Sequence, residues 1–287
     1  MVMEFIFNPA KISKNPSIIF FEAVFLSLIS VLFAVFVFPK EYVSIGILAF
    51  ITIGAIPVFA KLFSYSSYLF NYSESFFVRH KTLFLEITYF FLGIFTAFVF
   101  LFFLLGPTTK EVVFSTQLHE IEGVANLRQS ITGQISETKL ANENNFTKVF
   151  KIVLVNNLNV VLRAAVLSFF YGAGALFLIA WNASILATVI SSDIFANAGL
   201  ILSSPLGIFN AILQSFINLL GYIPHGFPEM LAYFVISFAG AMFARDLMKG
   251  LFTTEFRWKV IVDILFMISL SLFLLIIGAL IEASYFL

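Results

Sequence analysis

Few residues in this chain are equipped for chemistry. The stretch "GYIPHGFPEM" (221–230) sets His225 four residues before Glu229, and "QLHEIEG" sets His119 three residues before Glu122. The chain has only three histidines and no cysteine. Two histidines with one or two carboxylates suit zinc, either as a closed tetrahedral site or as an open one that holds water. If all four side chains converge, His119, Glu122, His225 and Glu229 form such a site. Pro224, Gly226 and Pro228 argue against a regular helical turn shared by His225 and Glu229. Pro228 fits the first turn of a span, where Glu229 would sit at the positive end of the helix dipole. The competing reading is structural. His225 then satisfies carbonyls freed by a proline-broken turn, Glu229 caps the helix or pairs with Arg163 or Arg128, and His119 lies on the rim of an amphipathic helix.

Other polar groups fall where a bilayer penalises them. "VNNLNVVLR" carries Asn156, Asn157, Asn159 and Arg163, and Asn182 opens a later apolar run. Such asparagines hydrogen-bond across helices or contact a ligand. Asp263, Glu22 and Glu86 are carboxylates within apolar runs, which makes them functional suspects, each near an interface. His80, between Arg79 and Lys81, reads as a lipid-headgroup contact. Gly172 and Gly174 permit close helix packing.

The elements that must position these groups follow from composition. Of 287 residues 61% are hydrophobic and 11% charged, and 40 are phenylalanine. That balance excludes a soluble globular domain. Apolar runs of about 20 residues without period-2 alternation predict an all-α, polytopic helical membrane protein. The zero formal net charge and the lack of a basic patch argue against a nucleic-acid partner. Without cysteine there are no disulfides or thiolate sites. No Walker A loop, G-x-G-x-x-G or G-x-S-x-G elbow occurs. The first apolar run is too long for a cleaved signal and predicts targeting by the span itself.

Seven spans are expected, at 17–38, 43–63, 83–105, 152–180, 183–202, 229–248 and 260–282, with "FPKEY" turning between the first two. "SYSSYLFNYSESFFVRHK" predicts an interfacial helix before the third. Residues 106–148 predict an amphipathic helix of about 30 residues, striped by Val113, Leu118, Ile121, Ala125, Ile131 and Ile135. A capping box from Thr108 to Glu111 would start it. Residues 203–228, apolar but broken by Pro and Gly, predict a re-entrant or surface-lying segment. Basic residues at 11 and 14, between spans two and three, and between spans six and seven predict a cytoplasmic N-terminus and an outer C-terminus. Segment 106–148 would then face outward, as would Asn145, one of three N-x-[ST] sequons beside Asn71 and Asn182.

Several of these motifs recur together. Asn156-Asn157 at the start of a span, Gly172-x-Gly174 further along, Asn182 opening the next span and the box "PHGFPE" resemble the stage II sporulation protein M family. The resemblance covers roughly 83–287. It implies a five-span domain over 82–287, preceded by a two-span addition over 1–81. Where many members have Asn-Gly, this chain has Asn182-Ala183. The resemblance implies a non-enzymatic scaffold or assembly factor of the cell membrane, with envelope-protein partners, and the Gly-bearing spans and Phe-rich faces suit a homodimer in the bilayer. The alternative is a zinc-dependent membrane hydrolase, or a small-molecule permease, with a His/Glu site at the outer boundary.

Overall fold

The computed structural model describes residues 12, 14–66, 75–123, 143–168, 173–197, 206–248, 250, 252, 255 and 257–284. Among them all regular structure is helical. Helix α1 is Ser17–Val37, α2 Val43–Ser66, α3 Phe76–Leu104 and α4 Pro107–Val113. A further helical stretch covers 115–123. Then come α5 (Glu143–Ser168), α6 (Ala173–Ala196), α7 (Gly207–Met248) and α8 (Arg257–Ser284). The turn expected at "FPKEY" is present: Pro39 is extended and Lys40–Tyr42 form one 3-10 turn that feeds α2.

Six stretches are long and apolar enough to cross a bilayer: Ser17–Val37, Lys40–Leu62, His80–Leu104, Gly174–Ala196, Gly226–Ala244 and Arg257–Ser284. The seventh expected crossing is α5, whose polar content keeps it outside that set. Packing directions nevertheless require it. Phe102 near the end of α3 meets Phe195 near the end of α6, and further back Phe91 of α3 and Leu178 of α6 line one cleft, so α3 and α6 run parallel. A helix running the opposite way must return the chain between them. Val149 and Val153 of α5 pack with Ala283 and Ala279 of α8, and Val161 lies in one cluster with Leu275. Thus α5 is antiparallel to α8 and traverses the bundle. Its buried residues Val149, Val153, Asn157 and Val161 recur every four positions, one stripe of a helix.

Three boundaries differ from the sequence expectation. The apolar stretch read as a span over 152–180 is divided, because α5 starts at Glu143 and ends at Ser168 and α6 starts at Ala173. Asn182 therefore lies well inside α6, where its side-chain amide donates to the Leu178 carbonyl at 2.8 Å. Next, 203–228 does not form a segment apart from the span that follows it: α7 runs unbroken from Gly207 through Pro224 and Pro228 to Met248. Proline removes a helical donor, but membrane helices tolerate it where neighbours re-satisfy the freed carbonyls. Pro228 is thus interior rather than at a first turn. Lastly, Thr108 and Glu111 form no capping box. Gly106 is the N-cap of α4, without a side-chain bond, and Pro107 holds the first helical position, where its missing N–H costs nothing. Of the stretch expected to form an interfacial helix, 64–66 end α2 and 76–81 begin α3, while 67–74, like the distal part of the amphipathic segment at 124–142, lies outside the described residues.

A single large core joins α1, α2, α3, α6 and α7, from Ile19 and Ala23 through Phe59 and Phe98 to Phe238 and Met242. The first two helices share this core, and α3 begins before residue 82. Gly93 marks a close approach: a Cβ there would lie 2.4 Å from the Phe20 carbonyl oxygen of α1. Small residues let membrane helices approach in this way.

Candidate functional site

Helices α5, α7 and α8 bring one polar cluster together inside the bundle. Tyr233 of α7 donates its hydroxyl to Asn157 Oδ1 of α5 at 2.7 Å. The Asn157 amide Nδ2 donates in turn to Glu229 Oε1 of α7 at 2.5 Å. Asn157 is buried, its neighbours partly so. Glu229 and Tyr233 are four residues apart, so they share a helix face and both reach the same residue of α5. Ser271 of α8 donates to the Ala232 carbonyl at 2.9 Å, tying the third helix to the same turn of α7.

Depth can be counted along the helices. His80 of α3 and Asp263 of α8 lie 3.4 Å apart, near the start of both helices. Ser271 is two helical turns further along α8, about 12 Å at 1.5 Å per residue. Glu229 is one turn beyond Ala232, about 17 Å from the His80–Asp263 layer. The apolar stretch His80–Leu104 of α3 is about 36 Å long at 1.5 Å per residue, so Glu229 and Asn157 sit near the middle of the bundle's length.

The sequence-selected residues separate into groups. Glu229 and Asn157 join, as described. Asn156 and Arg163 are on the exposed side of α5. His119 and Glu122 are exposed on 115–123, apart from this cluster. The His225 side chain lies outside the described residues, although its backbone continues α7 so that 225 and 229 are one turn apart. Among the described residues no group of three or more His, Asp or Glu side chains is arranged to hold a metal ion. Glu86 is 1% exposed, and its Oε2 has no hydrogen-bond partner among the described residues; Glu22 Oε2 is likewise buried and unmatched.

His80 corrects its sequence reading. It is not a headgroup contact but 1% exposed, packed against the rings of Phe76 and Phe238 and facing Asp263. Asp263 is 183 positions away, a pairing no local spacing reveals.

A second polar link was not foreseen. Gln117, also buried, accepts a hydrogen bond from the Ser44 hydroxyl of α2 at 2.7 Å and donates to the Ser184 Oγ of α6 at 3.0 Å. The Thr116 backbone N–H also donates to Ser44 Oγ, at 3.3 Å. Phe114 packs edge-on against Phe98 and Phe102, and the Lys110 ammonium lies over the rings of Phe102 and Phe195 at 4.3 and 4.6 Å. Residues 107–123 are thereby pinned to the start of α2, the last turn of α3, and the middle and end of α6, with His119, Glu120 and Glu122 left exposed. Of the expected stripe, Val113 is buried, Leu118 packs on the core and Ile121 is half-buried, and the helix is interrupted at Phe114.

No family model matches this chain, and no curated protein or solved structure does so either. Fold and site thus rest on this chain alone: it is an all-α integral membrane protein with a polar cluster at mid-depth.

Proposed function

We propose that this protein is a multi-pass scaffold or assembly factor of the cell membrane, similar in role to the stage II sporulation protein M family. The observation that carries the reading is the fixed segment 107–123. It is held by Phe114, Gln117 and Lys110 and leaves His119, Glu120 and Glu122 exposed, His119 and Glu122 on one helix face. A platform anchored by buried bonds on one side and polar on the other is what docking to an envelope partner requires. The mid-depth polar groups are engaged with one another, which suits a bundle held in one arrangement. With the N-terminus cytoplasmic, the platform faces outward.

The test is site-specific photocrosslinking in native membranes from position 119 or 122. The scaffold reading predicts one discrete heavier adduct, lost when Gln117→Ala loosens the platform. A second reading has its own support: a carboxylate at mid-depth, Glu229, is a common device of proton-coupled permeases. Flux of protons or solute across proteoliposomes of the purified protein, abolished by Glu229→Gln and without a crosslinked partner, would replace the scaffold reading with that one.

A further inference from the structure

A narrow cleft opens between α3, α6 and α7, lined among others by Phe91, Asn182, Met230, Tyr233 and Ser237. Its free space admits little more than one water-sized group. Most of its wall is apolar, and the polar exceptions are Asn182, Tyr233 and Ser237.

Ser237 is fully buried, and its Oγ has no hydrogen-bond partner among the described residues. Other hydroxyls in these helices bond back to the carbonyl four residues before them: Ser27 to Ala23, Thr52 to Leu48, Thr188 to Ser184. The equivalent acceptor for Ser237 is the Tyr233 carbonyl, and Ser237 does not use it. A buried hydroxyl without a partner costs about 1–3 kcal/mol, so its matching group is expected in the cleft it lines. Across the cleft, the Asn182 amide Nδ2 is engaged with the Leu178 carbonyl, which leaves its Oδ1 as the acceptor it can offer.

We infer that this cleft is a binding site for one ordered water molecule, held by the Ser237 hydroxyl of α7 and the Asn182 side chain of α6. A buried water needs a polar site of about one probe volume and two to four polar partners, and the cleft supplies both. The water would link α6 to α7, as the Tyr233 hydroxyl links α7 to Asn157 of α5. The inference does not depend on whether the protein is a scaffold or a permease.

X-ray radiolytic footprinting of the full-length protein in detergent tests it, since radicals form on bound water and label adjacent side chains. Tyr233 and Met230 should be labelled in the wild type, and the label at Tyr233 should be lost in Ser237→Ala. Ser191→Ala removes another buried serine hydroxyl without a partner, one away from the cleft, and should leave the label unchanged. An unfolded Ser237→Ala protein would show itself by labelling throughout, and Asn182→Leu then serves as the second variant, with the same loss expected. No label at Tyr233 in the wild type, or equal labelling in folded variants, would overturn the site.

Discussion

Asn157 is the residue on which the polar cluster turns, because it accepts from Tyr233 and donates to Glu229. Interhelical hydrogen bonds of this kind average about 0.6 kcal/mol in membrane helices, so Tyr233→Phe is expected to cost about that much. Asn157→Leu removes a partner from both neighbours and should cost more, about 1–3 kcal/mol. Reversible unfolding in mixed micelles measures the difference, and equal losses would show that the two bonds are not linked through Asn157. Glu86 predicts the opposite sign. Its unmatched buried oxygen makes Glu86→Met stabilising by about 1–3 kcal/mol in the same assay; a loss of stability would mean that the carboxyl has a partner. Part of this was open to inspection in the sequence. Asn157 and Glu229 stand out as polar groups in apolar surroundings. Tyr233 does not, because a tyrosine in a span is unremarkable, and its only signal is that it follows Glu229 by four residues on the same face. His80 misled, since two flanking basic residues pointed to the membrane surface while its partner lies on another helix.

Among the elements, α1 and α3 depend on Gly93. A side chain there must displace the backbone of α1 at Phe20, so Gly93→Val is expected to cost about 1–3 kcal/mol or more through overpacking. The sequence offered Gly172 and Gly174 as close-packing sites instead, because glycine alone does not say which neighbour approaches. The limits of α5, α6 and α7 were also only partly legible. Hydropathy runs through the α5–α6 boundary without a drop. In α7 the prolines signal a break, yet the helix continues through both of them. Gln117 explains why 107–123 stays attached, and Gln117→Ala should expose this segment. Limited proteolysis of the purified protein should then cut near 119–123 faster than in the wild type. Unchanged cleavage would mean that Phe114 and Lys110 suffice.

For the whole molecule, the decisive feature is α5. By composition it falls short of the six apolar spans, yet its stripe of Val149, Val153, Asn157 and Val161 packs along α7 and α8 and carries a polar side chain to mid-depth. Amphipathic helices of this kind are legible only once their partners are known, because one face is matched to protein and the remainder resembles a surface helix. A seventh crossing sets the parity of the chain, so the start of α1 and the end of α8 must lie on opposite sides of the membrane. The absence of cysteine makes the measurement direct. Lys14→Cys and Ser284→Cys, both at exposed positions, would be treated with a membrane-impermeant maleimide in right-side-out and inverted vesicles. The seven-helix bundle predicts that one position labels only in the first preparation and the other only in the second. Labelling of both from the same side would contradict it, and with it the mid-depth placement of Asn157 and Glu229.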